Sequence, residues 1–190
     1  MSKFKIRVHE SNDSYMTALD AELDELIAQG KKDMASFNPK TIKIGSLVWT
    51  HENLAIDDGG DGIIYNPDNG EYYYTFDAAV RIANGIPGWH LPSVDDWNRA
   101  CAACGIEEIE YIGDVEDADV LYYRLNVKPV GYYDREGDLY GVGGGAMFWT
   151  SRFKGANAAY ERAFESGSRV KMYQSVRLTG NGYSVRLVKD

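Results

Sequence analysis

Near the start of the chain, apolar residues recur at three- and four-residue steps, at Met16, Leu19, Leu23 and Leu26. This spacing places them on one face of a helix, and Gly30 is expected to end that helix. Acidic residues fill the other faces, so the apolar stripe is narrow. A narrow stripe is typical of a helix that docks on a partner or joins a small bundle, with packing on its own domain as the alternative.

The segments on either side of this helix complete a predicted arm. Residues 3–8 alternate between apolar and basic side chains, a pattern that predicts a short strand. Residues 31–39 are interpreted as a linker. We therefore expect residues 1–40 to form an N-terminal helical arm used for attachment or oligomerisation, through Met16, Leu19, Leu23 and Leu26.

From residue 41 to residue 190, short apolar runs, turn residues and two helical patterns alternate. One predicted helix follows Thr75 and the other runs from Ser93 to Cys104. The predicted strands cover residues 41–49 (a hairpin turning at Gly45), 146–150, 169–178 and 182–188. This mixture predicts an α+β domain with two helices, short antiparallel strands and long loops.

The helix after Ser93 carries the clearest local signal in the chain. Ser93 lies at the N-cap position and Asp96 follows three residues later, so each side chain can accept a hydrogen bond from the other residue's backbone N–H. Trp97, Ala100, Cys101 and Cys104 repeat at helical spacing and are predicted to face the core. These residues build a scaffold and supply no reaction chemistry.

Residues 106–147 are irregular and rich in tyrosine and glycine. Tyrosine gives a large amphipathic contact area with few rotatable bonds, which favours its use in binding loops. The alternative is that half of these rings lie in the core. The residues predicted to contact a ligand from a loop surface are Tyr123, Tyr132, Tyr133 and Arg135, followed by Arg152 and Asn157.

The formal net charge is −9 and the isoelectric point is about 4.8. Nucleic acids and anionic membrane surfaces attract clustered Lys and Arg, which this chain lacks, so we expect neither as a partner. No apolar run is long enough for a signal peptide or a membrane span, so we expect synthesis in a reducing cytoplasm without export or membrane insertion.

Cys101 and Cys104 have a spacing that allows three interpretations. The expected one is core packing, since free cysteine behaves as a small hydrophobe. A redox pair and half of a metal site are the alternatives.

The acidic loop with Asp57, Asp58 and Asp61 offers oxygen ligands for calcium, although its spacing differs from an EF-hand and is common in ordinary turns. We therefore expect no cofactor, with calcium as the alternative.

Motifs for catalysis are missing. The sequence has no Gly-x-Ser-x-Gly turn, and the glycines at 141–145 precede a predicted strand, where a dinucleotide-binding motif would precede a helix. We therefore expect a protein that is not an enzyme.

Six ordered blocks resemble the Fibrobacter succinogenes major paralogous domain, from about residue 41 to the last residue. They are Ile44-Gly-x-x-Val-Trp49, Glu52-Asn-Leu54, residues 72–79, Gly88-Trp-His-Leu-Pro-Ser93, Phe148-Trp-Thr-Ser151 and residues 184–190. That family is similar in fold to the C-type-lectin-like domains of formylglycine-generating enzymes and phage variable tropism proteins. The resemblance implies that the last strand pairs near the first and that irregular loops form a display surface.

The resemblance also bears on function. The catalytic cysteines of formylglycine-generating enzymes lie in a C-terminal segment that here contains no cysteine. Relatives without signal peptides are familiar from phages of gut Bacteroidota.

We therefore expect a non-enzymatic adhesion or decoration module of a bacteriophage virion that binds a host-surface glycan or protein. It would attach to itself, as a homo-oligomer, or to other virion proteins through its arm. A purely structural virion protein and a bacterial surface-associated binding protein are the alternatives.

Overall fold

The computed structural model describes residues 5–109 and 112–190, with side chains from Met16 onward. Within these ranges the chain is a mixed α and β structure. Its helices are α1 (Lys5–Ala35), α2 (Phe76–Gly85), α3 (Val94–Ala103) and α4 (Asp119–Arg124). Its strands are β1 (Thr41–Ile44), β2 (Leu47–Thr50), β3 (Ile63–Asn66), β4 (Glu71–Tyr74), β5 (Gly113–Val115), β6 (Val130–Tyr133), β7 (Leu139–Val142), β8 (Gly145–Phe153), β9 (Ala158–Glu165), β10 (Lys171–Leu178) and β11 (Val188–Lys189).

Helix α1 is longer than the sequence predicted. Of the strand expected over residues 3–8, residues 3 and 4 lie outside the described residues and residues 5–8 are helical. The predicted stop at Gly30 and linker from residue 31 are also wrong, because the helix continues to Ala35. Gly30 is needed for close approach: a Cβ there would lie 2.5 Å from the carbonyl oxygen of Asp57.

The C-terminal part of α1 packs on the body, whereas its middle part does not. Gly30 meets the acidic loop, Met34 lies over Gly85 of α2, and Phe37 beyond the helix makes an edge-to-face contact with Trp89 at 5.8 Å. The predicted apolar stripe is solvent-exposed, at 55% for Met16, 40% for Leu19, 47% for Leu23 and 41% for Leu26.

The strands form three sheets. The largest has the order β5-β10-β9-β8-β6-β7, the second has the order β1-β2-β11, and β3 pairs with β4. All pairings are antiparallel except that of β6 with β8. Strand β11 pairs with β2, and Val188 lies opposite Trp49. The end of the chain therefore returns to the first hairpin of the body.

Two core clusters hold the body together. In one, Trp97 and Cys101 of α3 pack on Phe148, Phe164 and Met172 of the large sheet. In the other, α2 packs around two stacked rings, Trp149 and Tyr183, with centroids 4.3 Å apart.

The sequence predicts all four tryptophans, Trp49, Trp89, Trp97 and Trp149, to be core residues, and the structure confirms three of them. Trp49, Trp97 and Trp149 are fully buried. Trp89 is only half-buried, because it lies under Phe37 and the ammonium group of Lys189 at the surface.

The local signals for the α3 junction and the first hairpin are confirmed. Asp96 N–H donates to Ser93 Oγ at 3.0 Å, and Ser93 N–H donates to Asp96 Oδ2 at 2.8 Å. The hairpin of β1 and β2 turns at Gly45, whose φ of +62° suits glycine.

Two predictions for the body need correction. Residues 106–147 contain β5, α4, β6 and β7, and α4 gives the body a third helix where two were predicted. Helix α4 is short and has no side-chain N-cap, so the sequence lacked the signal that marked α2 and α3.

Residues 182–188 do not form one strand, since only Val188 joins β11. Tyr183, Val185 and Leu187 are buried, but so are Ser184 and Arg186 between them. The segment is therefore enclosed on both sides, where a half-buried strand was expected.

Candidate functional site: a tyrosine hairpin beside a groove

Strands β6 and β7 form a hairpin with an aromatic strip on one side. Tyr132 pairs with Tyr140 across the two strands, and their ring centroids are 5.9 Å apart. Tyr140 is 48% exposed. Tyr132 is half-buried and meets Tyr183 of the core edge-to-face at 5.6 Å. The strip is therefore anchored at one end and open to solvent at the other.

Of the two neighbouring residues that were predicted, Tyr133 is also anchored and Arg135 is also exposed. Tyr133 is half-buried, and its ring contacts Tyr73 at 5.0 Å while its backbone N–H donates to the carbonyl of Gly182. Arg135 lies exposed in the turn, where Nε donates to Glu136 at 2.7 Å. This hydrogen bond raises the pKa of Arg135. Tyr133 holds the hairpin in place and Arg135 faces solvent.

The other predicted contact residues lie elsewhere. Tyr123, 71% exposed, lies on α4, and its ring partner Tyr122 belongs to the core cluster on the α3 side of the sheet. Arg152 lies on β8 with its guanidinium 4.9 Å from the ring centroid of Tyr160. Asn157 is exposed in the turn between β8 and β9.

The structure corrects the predicted location of some of these residues, and their contact with a ligand stays a prediction. The expectation of a loop surface is wrong for Tyr123, Tyr132, Tyr133 and Arg152, because all four lie in helices or strands. Tyr123 also belongs to a different element, since it lies on α4, and its ring partner Tyr122 packs in a different core cluster from Tyr132. Only Tyr132, Tyr133 and Arg135 share one hairpin.

The large sheet has an open groove on the face away from α3. Alternation along the strands sends Phe164 and Met172 into the core, so Ala163 and Tyr173 face the groove. The cavity has a volume of about 540 Å³. Its lining comes from β5, β7, β8, β9 and β10 and the adjoining turns: Ile112, Gly113, Asp114, Gly141, Gly144, Gly145, Met147, Glu161, Ala163, Phe164, Glu165, Tyr173, Gln174, Ser175 and Arg177. Through Gly141 it borders the tyrosine hairpin.

A buried carboxylate lies in this lining. Glu161 is 1% exposed, and its Oε1 accepts from Ser175 Oγ at 2.6 Å and from Arg177 Nε at 3.0 Å. Among the residues that the structure describes, Oε2 is buried and has no hydrogen-bond partner. Burial lowers the pKa of Arg177, but the charge and hydrogen bond of Glu161 outweigh it and the net shift is upward.

A second acidic group lies at the groove beside Tyr173. The Tyr173 hydroxyl donates a hydrogen bond to Glu165 Oε2 at 2.6 Å. This bond is the main reason that the pKa of Tyr173 is raised to about 12. Asp114 of β5 adds another carboxylate to the lining.

Sequence reasoning missed the groove entirely. Glu161, Ser175 and Arg177 meet only because β9 and β10 pair with Ser175 opposite Glu161. The one available signal was a charged pair, Glu161-Arg162, inside an otherwise apolar strand pattern.

The cysteines serve packing. The Sγ of Cys101 lies 3.9 Å from the sulfur of Met172, and burial raises the pKa of its thiol to about 11. Cys104 is half-buried and contacts the same core cluster.

The acidic loop uses its carboxylates locally. Asp58 binds Arg81 through two hydrogen bonds of 2.8 and 2.9 Å, which lower its pKa, and Asp57 caps the turn at Gly59. Among the side chains that the structure describes, from residue 16 to 109 and from 112 to 190, no three His, Cys, Asp or Glu are grouped to hold a metal ion.

Comparison with known proteins gives one match. No curated protein and no solved structure matches the chain. No helix in the described part of the chain is both long and apolar enough to cross a bilayer. A family model, the Fibrobacter succinogenes major domain, matches residues 42–189, which takes in the body from β1 to β11. The chain therefore belongs to the Fibrobacter succinogenes major domain family.

Proposed function

We propose that this chain is a non-enzymatic binding module of a bacteriophage particle, which attaches to a glycan or protein on the host surface. One observation carries the proposal: the open end of the Tyr132–Tyr140 strip borders a groove on the face of the large sheet opposite α3. An anchored aromatic strip loses little conformational entropy on binding, as is typical of evolved binding surfaces.

The architecture supports a frame with a display surface. We propose a C-type-lectin-like arrangement for the body, and the pairing of β11 with β2 supports it. Helix α3 packs on the opposite face of the large sheet from the groove, so groove residues can vary without disturbing that packing.

The chemistry of the titratable groups supports binding over catalysis. The thiol of Cys101 is buried and its raised pKa keeps it protonated at neutral pH. The carboxylate of Asp58 is held by Arg81 in a turn. These groups are used to stabilise the frame.

The arm supports assembly. The exposed stripe of Met16, Leu19, Leu23 and Leu26 is suited to pairing with another copy of α1, which would make the module a homo-oligomer, or to docking on another virion protein.

Cell binding tests the proposal. Fluorescently labelled protein is incubated with a panel of gut Bacteroidota strains and measured by flow cytometry. We expect at least one strain to bind, and the double variant Arg135→Ala, Tyr140→Ala to bind at least tenfold more weakly. Tyr65→Ala, which removes a ring of similar exposure from β3, is the matched control and is expected to bind normally.

Two results would contradict the proposal. One is binding by the double variant at the wild-type level. The other is a panel in which no strain binds. Mass spectrometry of purified phage particles tests the virion location separately, since absence of the chain from the particles of its own phage would exclude it.

A further inference from the structure

We propose that the groove on the open face of the large sheet binds one uncharged pyranose unit, held by Glu161 and Arg177. This inference rests on the proposed binding function and names the ligand class of the groove. The hairpin would contact the rest of the ligand.

The unpaired oxygen of Glu161 is the first argument. A buried polar atom without a partner costs free energy, and nearly all such atoms in native proteins find one. Oε1 already accepts two hydrogen bonds, while Oε2 accepts none from the described residues. Oε2 is covered in the unliganded protein, so a ligand hydroxyl in the groove would supply the missing donor once the side chains around Glu161 shift.

Arg177 supplies donors beside this acceptor. Its Nε is used by Glu161, and no described residue accepts from its two terminal nitrogens. Its side chain is about half exposed, at 54%. A carboxylate acceptor next to guanidinium donors matches two neighbouring hydroxyls, one donating to Glu161 and the other accepting from Arg177.

The rest of the lining suits a sugar ring. Met147, Ala163 and Tyr173 give an apolar and aromatic surface against which the C–H face of a pyranose can lie. The volume of about 540 Å³ is within the range of small-molecule sites.

The charges select among sugars. Asp114, Glu161 and Glu165 outnumber the single cation of the lining, Arg177, so uronic and sialic acids would be repelled. An amino sugar placed at Glu161 would meet the guanidinium of Arg177 at close range. Uncharged hydroxyls satisfy both groups without repulsion.

Saturation-transfer NMR on the full chain tests this. The probes are the methyl pyranosides of glucose, galactose and mannose, with methyl glucuronide and N-acetylneuraminic acid as acidic comparisons. The variants are Arg177→Met and Glu161→Gln. Arg169→Met is the matched control, because Arg169 is an exposed arginine paired with a carboxylate, Asp117, and is not part of the groove lining.

We expect saturation transfer to at least one neutral pyranoside and to neither acidic sugar. Its affinity should fall at least tenfold in Arg177→Met and in Glu161→Gln, and should not change in Arg169→Met. If either single variant fails to fold, the double variant Glu161→Gln, Arg177→Met decides, because it removes the buried charge together with its partner.

Three results would overturn the inference: no transfer to any neutral pyranoside, equal binding by Arg177→Met, or stronger transfer to the acidic sugars. These failures are distinct from failure of the proposed function, which depends on cell binding and the Arg135 and Tyr140 double variant.

Discussion

At the scale of single residues, the two fully buried arginines are held very differently. Arg186 donates to the carbonyls of Thr50 and Asn126 and to Asn53 Oδ1. Arg162 donates from one nitrogen to Asn98, and its Nε and Nη1 have no partner among the described residues. Burial lowers the pKa of both guanidinium groups to about 10, so the difference between the two arginines lies in their hydrogen bonds.

We predict that Arg162→Met leaves the free energy of unfolding unchanged or raises it by about 1 kcal/mol. The reason is that the substitution removes an uncompensated buried charge. Asn98 keeps its hydrogen bonds with Ile109 in this variant. The free energy of unfolding from urea denaturation is the measurement. Arg186→Met is the comparison and should lose about 3 kcal/mol, because carbonyl acceptors would be left buried and unpaired. Equal losses in the two variants would contradict this account.

At the scale of elements, helix α1 combines a docked end with an exposed stripe. Its docked end depends on Gly30, which is where the sequence predicted a stop. Glycine is a good helix terminator in isolation, but here it marks close contact with the Asp57–Asp58 backbone. A single sequence does not distinguish these two uses of glycine.

Gly30→Ala tests this contact, because the expected change in stability has the opposite sign from the change in an exposed helix. In an exposed helix the change would stabilise by about 1 kcal/mol. Here the new Cβ would collide with backbone atoms, so we predict a loss of about 1–3 kcal/mol or undocking of α1. Thermal unfolding and limited proteolysis after residues 31 and 32 are the measurements. Ala28→Gly, at an exposed site of the same helix, calibrates the helix propensity. A stabilised Gly30→Ala variant would show that α1 is not docked.

The exposed stripe leads to a prediction about association. Leu19→Glu with Leu23→Glu places charges in the stripe and should convert the assembled protein to a monomer in light scattering. The body should keep its melting temperature, because neither side chain is buried on it. Ala21→Glu with Ala28→Glu adds the same charge elsewhere on α1 and should leave assembly intact. A wild-type protein that is already monomeric would contradict the role of the stripe.

The elements that the sequence predicted correctly are those with a local signal. Thr75 and Ser93 cap α2 and α3, and a short apolar run marks β8. Helix α4 has no cap, and residues 182–188 owe their enclosure to contacts from distant strands. Those features depend on tertiary structure and could not be predicted from a single sequence.

At the scale of the whole molecule, the frame and the binding face are separate. Helix α3 packs on one face of the large sheet, the groove lies on the opposite face beside the second core cluster, and the hairpin forms one edge of the sheet. The sequence predicted part of this face, at Tyr132, Tyr133 and Arg135. It did not predict the groove, because Glu161 and Arg177 meet only through strand register.

The central claim is that this single face does the binding, and hydrogen–deuterium exchange tests it most directly. The protein is measured alone and with a purified envelope fraction of a strain that it binds. We predict slower exchange confined to β6, β7 and the groove segments of β9 and β10. Protection confined to the β3–β4 hairpin or to α4, or no protection on the hairpin and groove, would contradict the account.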